Sequence, residues 1–187
     1  MHLAQVSGAP AIRVARAADA SPLAALAERT FRATFAPHNL DRNMALHCSR
    51  TYGEVLQAAE IADPRRTTVV ADAGGALVGY AQLRWGAAPA CVAAARPAAI
   101  QRIYVDAPWQ GRGVAQALMA AMLAHARDGG ADRVWLGVWE HNPRARAFYG
   151  RCGFREAGAH DFRLGDEVQR DLVLVRDVDD DAGRPAG

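Results

Sequence analysis

An α/β fold, helices packed on a central sheet, is what the sequence predicts, and three observations carry that prediction. Strand-like runs and helix-like segments alternate along the 187 residues, the pattern of a layered α/β chain. Two runs, Thr67-Thr68-Val69-Val70-Ala71 and Ala76-Leu77-Val78-Gly79-Tyr80-Ala81-Gln82-Leu83, flank Asp72-Ala73-Gly74-Gly75 and read as antiparallel strands joined by a tight glycine turn. A further run, Val134-Trp135-Leu136-Gly137-Val138-Trp139, is almost continuously apolar, as expected of a central strand covered on both faces.

The other elements follow in order. Ile12-Arg13-Val14 alternates as a short strand, and Asp19-Ala20-Ser21-Pro22 offers capping side chains and a first-turn proline to a helix from Leu23 to about Thr30. Thr51-Tyr52-Gly53-Glu54 has capping-box spacing and opens a second helix toward Ala62, which Asp63-Pro64 stops. Gly86 to Pro97, rich in Ala, Gly and Pro, reads as a surface connection that could border a substrate site. Ile100-Gln101-Arg102-Ile103-Tyr104-Val105 is strand-like. A glycine-bearing turn then enters a helix with Val114, Leu118 and Met122 on one face, ending at Gly129-Gly130. Asn142-Pro143 caps a helix that runs through Tyr149, with Gly153 placed to end it. Asp171-Leu172-Val173-Leu174-Val175 is a last strand. Residues 1–10 lack periodicity and 177–187 combine like charges with Gly and Pro, so one domain is expected over 11–176 between flexible ends.

Composition narrows the function classes. Apolar residues at 51% and charged residues at 22% mark a soluble globular chain, long enough to bury a core without staples. Twenty-two basic against 20 acidic residues leave a net charge of +2, too small a basic footprint for a nucleic acid partner. Cys48, Cys91 and Cys152 are odd in number and far apart, so neither a disulfide framework nor a metal site is expected. The N-terminus lacks a basic region followed by an apolar run, and no stretch reaches about 18 apolar residues, so a cytoplasmic protein without a membrane partner is expected.

The segment Gln110-Gly111-Arg112-Gly113-Val114-Ala115 stands between a strand and a helix, where backbone N–H groups converge at the positive end of the helix dipole. An anion suits that position, and so does a plain glycine turn. A Walker A loop would need Lys-Ser or Lys-Thr after its last glycine, and a dinucleotide fingerprint would need a third glycine and a downstream acid; neither is present.

Gln110, Gly113 and Ala115 match in register the pyrophosphate loop of the GNAT superfamily of N-acyltransferases. Ile103-Tyr104-Val105 resembles that family's fourth strand. Asn142-Pro143-Arg144-Ala145-Arg146-Ala147-Phe148-Tyr149 with Gly153-Phe154 resembles its fifth-strand exit and following helix, and the likeness covers residues 12–175. The resemblance implies a mixed, mostly antiparallel sheet of about seven strands, splayed between the fourth and fifth. It implies acetyl-coenzyme A as donor, direct transfer to a primary amine in a ternary complex, no metal, and the homodimers common in the family. Carried over by position, the cofactor residues are Ile103, Tyr104, Val105, Gln110, Gly111, Arg112, Gly113, Val114, Ala115, Gln116, Asn142 and Ala145.

Acetyl transfer to an amine needs a neutral nitrogen, a donor to the oxyanion and a proton for the departing thiolate. The resemblance gives the oxyanion to backbone N–H groups around Tyr104 and Val105, and the proton to Tyr149. A phenol with a reference pKa of about 10 is protonated at pH 7 and can supply a thiolate; Tyr149 can equally pack beside Phe148. Asn142 can bond the pantetheine arm, cap its helix, or do both. Many relatives carry a strand glutamate near Ala99, where this chain has no base; Glu140 and His141 could act through water or could be a solvated strand end. Asp106, His38 and His47 are further candidates for that role. Trp85, Trp109, Trp135 and Trp139 suit a pocket or the core. The segment from Gly158 to Asp171 resembles the end of bacterial relatives of spermidine and spermine acetyltransferases, for which Glu54, Glu60, Asp161, Asp166 and Glu167 could hold remote ammonium groups. A protein N-terminus as acceptor, or a non-catalytic acyl-coenzyme A sensor, are the alternatives.

Overall fold

The computed structural model describes residues 8–86, 88–164 and 167–181; the remaining stretches of the expected flexible ends, and Asp166, lie outside the described residues. The elements are β1 (Ala11–Val14), α1 (Ala20–Phe35), α2 (Asp41–Thr51), α3 (Glu54–Ala62), β2 (Arg66–Ala73), β3 (Ala76–Trp85), β4 (Pro97–Val105), α4 (Val114–Asp128), β5 (Arg133–Trp139), α5 (Pro143–Arg151), β6 (Arg155–Leu164) and β7 (Glu167–Asp177). The strands form one seven-stranded sheet in the order β1-β2-β3-β4-β5-β7-β6. Only β4 and β5 run parallel; the other neighbours are antiparallel.

Strand alternation gives the sheet two buried faces. On one, Val69, Leu83, Ile100, Val134 and Leu136 pack with Leu118 and Met122 of α4 and Tyr149 of α5. On the other, Val70 and Tyr80 pack with Leu23, Leu26 and Phe31 of α1 and Met44 of α2. Gly79 lets α4 approach closely, since a Cβ there would lie 3.2 Å from both Leu118 Cδ1 and the Tyr104 carbonyl oxygen.

The hairpin turn forms at Gly74 and Gly75, with φ of 69° and 97°, the positive values that a type I′ turn demands. Strand β4 starts earlier than expected and α1 runs on to Phe35. Two elements, α2 and β6, were not foreseen, and the capping box expected at Thr51 does not form. Thr51 is the last residue of α2 instead, and Gly53 occupies the N-cap of α3. At the other end β7 continues to Asp177 and Val178 is buried, so the sheet reaches just past the boundary expected at 176.

What positions a site is the seam in this sheet. Strand β4 pairs with β5 only where Pro97, Ala98 and Ala99 meet Arg133, Val134 and Trp135. Beyond that the strands part: β4 stays on β3 through Val105, and β5 stays on β7 through Trp139. A bulge sits at the parting. Gln82 pairs with Arg102 and Leu83 with Ile100, leaving Gln101 as an extra residue that bends β4 away from β5.

Candidate active site

A cavity of about 760 Å³ occupies this seam and is lined from both faces of the sheet. That size suits a small-molecule site. On the α4 and α5 face its walls include Ile103, Val105, Gln110, Gly111, Ala115, Gln116, Asn142, Ala145, Phe148 and Tyr149. On the α1 and α2 face they include Phe31, Phe35, His47, Tyr52, Tyr104, Trp139, Phe162 and Asp171.

The glycine loop is shaped by backbone geometry. Gly111 and Gly113 have φ of 74° and 80°, and a Cβ at either would meet no atom within 4 Å, so handedness rather than crowding reserves both positions for glycine. Gly113 is the N-cap of α4, whose first N–H groups lack partners within the helix. The Gln110 side chain donates from Nε2 to the Val105 carbonyl at 3.0 Å, tying the loop to the end of β4. Three expected contact residues stand back from the cavity wall. Val114 is buried in the core, Gly113 offers only backbone, and the Arg112 guanidinium lies 5.5 Å from the Trp109 ring centre. This arrangement of N–H groups and a positive helix end fits a diphosphate.

Tyr149 is 9% exposed and lies on the cavity wall between Phe148 and Phe154, with ring centres 5.4 and 6.0 Å away. Burial pushes its phenol pKa well up, and the nearby Tyr104 adds to this, so it stays protonated. Asn142 caps α5, its Oδ1 accepting from the Ala145 N–H at 3.0 Å, and it also lines the cavity.

The expected base pair does not reach the cavity. Glu140 bonds Arg170 at 3.3 Å and stands 3.7 Å from His141, which is 71% exposed; both belong to the solvated end of β5. Asp106 pairs with Arg29 at 2.9 Å, and His38 lies against Trp139. His47 does line the cavity, stacked on Phe31 at 4.5 Å, and burial followed by the Arg102 charge lowers its pKa. Of the tryptophans, Trp109 and Trp139 line the cavity, while Trp85 packs over Gly129 and Trp135 over the other end of the sheet. The described residues of 86–97 do not line it.

The acids proposed for remote ammonium groups are also elsewhere. Glu60 is bonded to Arg102 at 2.6 Å and to Gln82 at 3.2 Å, and neither it nor Glu54, Asp161 or Glu167 lines the cavity. Among the described residues the carboxylate that does is Asp171, at the β7 position paired with Trp139. Its pKa is pushed up to about 6 by burial, partly offset by His160. Sequence reading passed over it because an acid opening an apolar strand looks like any solvated strand end; only the register of β7 on β5 brings it to the seam.

The acetyltransferase (GNAT) family profile matches residues 26–154. The chain therefore belongs to the GNAT family of acetyltransferases. A Mycobacterium tuberculosis protein named only as an N-acetyltransferase is 38% identical over 160 residues, 86% of this chain and 98% of the relative. The N-alpha-acetyltransferase RimI of the same organism is 37% identical over 100 residues, 53% of this chain and 58% of the relative. The crystal structure of PaiA N-acetyltransferase from Thermoplasma acidophilum in complex with coenzyme A shares the fold. Its TM-score is 0.72 at 18% identity, covering 89% of this chain and 98% of that one. By family the protein is an acyl-coenzyme A-dependent N-acetyltransferase.

Proposed function

We propose that the protein moves an acetyl group from acetyl-coenzyme A directly to a single primary amine on a small molecule with an apolar or aromatic body. The supporting observation is the seam cavity. It has a helix N-terminus with left-handed glycines on one face, and on the other Phe31, Phe35, Tyr52, Trp139 and Phe162 with one carboxylate.

In this reading the N–H groups from Gly111 to Gln116 hold the diphosphate, and Gln110 keeps the loop against β4. The backbone edge of β4 from Ile103 to Val105, left unpaired by β5, holds the pantetheine arm and offers an N–H to the acyl oxygen as negative charge develops there. Asn142 and Ala145 border the same arm. Tyr149 gives its proton to the departing sulfur. Polyamines suit the acceptor side less well, because among the described residues Asp171 is the lone acid on the wall, and a second ammonium would have no partner.

A second reading, acetylation of a peptide α-amine, is favoured by the similarity to the N-alpha-acetyltransferase. One thiol-release assay with acetyl-coenzyme A over arylalkylamines, polyamines, aminoglycosides and short peptides tests both. Preference for monoamines with aromatic bodies supports the first, and preference for peptides the second. Donor binding without turnover on any amine would reject both in favour of a sensor.

A further inference from the structure

We propose that Asp171 receives the acceptor's ammonium group and takes its proton, a role that rests on the amine acetylation proposed above. The position argues for it. Asp171 sits on the last rung of β5, paired with Trp139 on one side and with His160 of β6 on the other, so its side chain lies on the α1 and α2 face at the mouth of the seam. Tyr104, on the same face, stands on the opposite bank of the seam and lines the same cavity.

Room for the carboxylate is made by a missing side chain. Gly137 lies beside it on β5, and a Cβ there would come within 3.2 Å of Asp171 Oδ2 and 2.9 Å of His160 Nε2. Any larger residue would push both away. His160 Nε2, beside the Asp171 carboxylate, is buried without a hydrogen-bond partner among the described residues. Partial burial makes the ionised carboxylate costly, and a cation seated beside it offsets that cost. The other acids near the cavity are already neutralised: Glu60 by Arg102 and Arg66, and Asp106 by Arg29.

The surrounding charges agree with the role. Groups facing Asp171 are His160 from β6, Tyr104 from β4 and, across the cavity, His47 of α2 and Arg102 of β4. His47 has its pKa lowered by burial and then by the Arg102 charge. Asp171, with its pKa raised to about 6, is a stronger base than an ordinary carboxylate and is still ionised at pH 7 to 8.

The step balances as follows. One proton of the ammonium passes to Asp171, the freed lone pair forms the N–C bond to the acyl carbon, and the C–S bond breaks. Tyr149 protonates the leaving sulfur. The second nitrogen proton is lost as the amide forms and restores Tyr149, while Asp171 returns its proton to solvent. The net release is one proton per turnover.

Asp171→Asn, with Asp171→Glu as the conservative partner, tests this on the full chain with the best monoamine from the screen. For the Asn variant we expect kcat/KM for the amine to fall on the order of 100-fold or more. The rise of kcat/KM with an inflection near pH 6 should vanish, coenzyme A should bind within about twofold of the parent by calorimetry, and the melting temperature should hold or rise. The Glu variant should recover part of the rate and keep a carboxylate inflection. An Asn variant within about threefold of the parent, or one that keeps the inflection, overturns the role of Asp171 while leaving amine acetylation standing. A parent inactive on all amines overturns both.

Discussion

In the proposed transfer, Tyr149 is where a single atom decides the outcome. Its hydroxyl must carry a proton at working pH, and burial ensures that by raising the phenol pKa far above neutrality. Tyr149→Phe keeps the ring contacts with Phe148 and Phe154 and removes only the proton. We expect thiol release to slow by about 100- to 1,000-fold at unchanged coenzyme A affinity, measured by steady-state kinetics beside calorimetric titration. That Tyr149 and Asn142 line the cavity was legible because they fall within a motif of fixed spacing. Asp171 was not, because its significance depends on a strand register between residues far apart in sequence. Glu140 and His141 show the converse. They are residue types suited to proton transfer, but the end of β5 turns them toward solvent and Arg170.

At the scale of elements, the loop before α4 joins sequence to conformation most directly. Both of its glycines hold positive φ, which costs a residue with a Cβ about 1–2 kcal/mol. Gly113→Ala should therefore lower the unfolding free energy by about that amount and weaken coenzyme A binding, because relaxing φ turns the first N–H groups of α4 out of line; denaturant unfolding and calorimetry separate the two losses. Hairpin β2-β3 and helices α4 and α5 could be read in advance, since their turns and caps are local chemistry: Gly74-Gly75, Gly113, Asn142-Pro143. Helix α2 could not. Its polar sequence carries a weak apolar pattern, and it is held against α1 by Met44, Cys48, the buried amide of Asn43 and the stacking of His47 on Phe31. Strand β6 was hidden for a similar reason, as its alternation is broken by glycine, histidine and charge and its place is set by pairing with β7.

For the molecule as a whole, acid stability should trace to Arg13. Its guanidinium joins Asp19 at 2.7 Å and Asp72 at 2.9 Å, linking β1, the start of α1 and the β2-β3 turn. The Arg13 guanidinium holds the Asp19 carboxyl pKa below the ordinary range, and the Gly75 N–H followed by Arg13 does the same for Asp72. The stability this gives is complete above the unfolded carboxyl pKa near 4 and is lost as pH falls through the lower folded values. Asp19→Asn should cost about 2 kcal/mol at pH 7, and the gap to the parent should close below about pH 4, as followed by denaturant unfolding across that range.

The seam has a consequence for the lifetime of the protein. Three residue pairs at its base are all that join β4 to β5, so the two banks of the sheet are coupled there by less than any ordinary strand pair supplies. An occupant that bonds the free edge of β4 and packs on α5 bridges the gap and becomes, in energetic terms, an eighth strand of the sheet. At a hundredfold excess over its dissociation constant it should raise the unfolding free energy by about 2.7 kcal/mol, visible as a higher melting temperature with coenzyme A. Resistance to proteolysis should rise in the same titration, since cleavage follows the population of the opened chain.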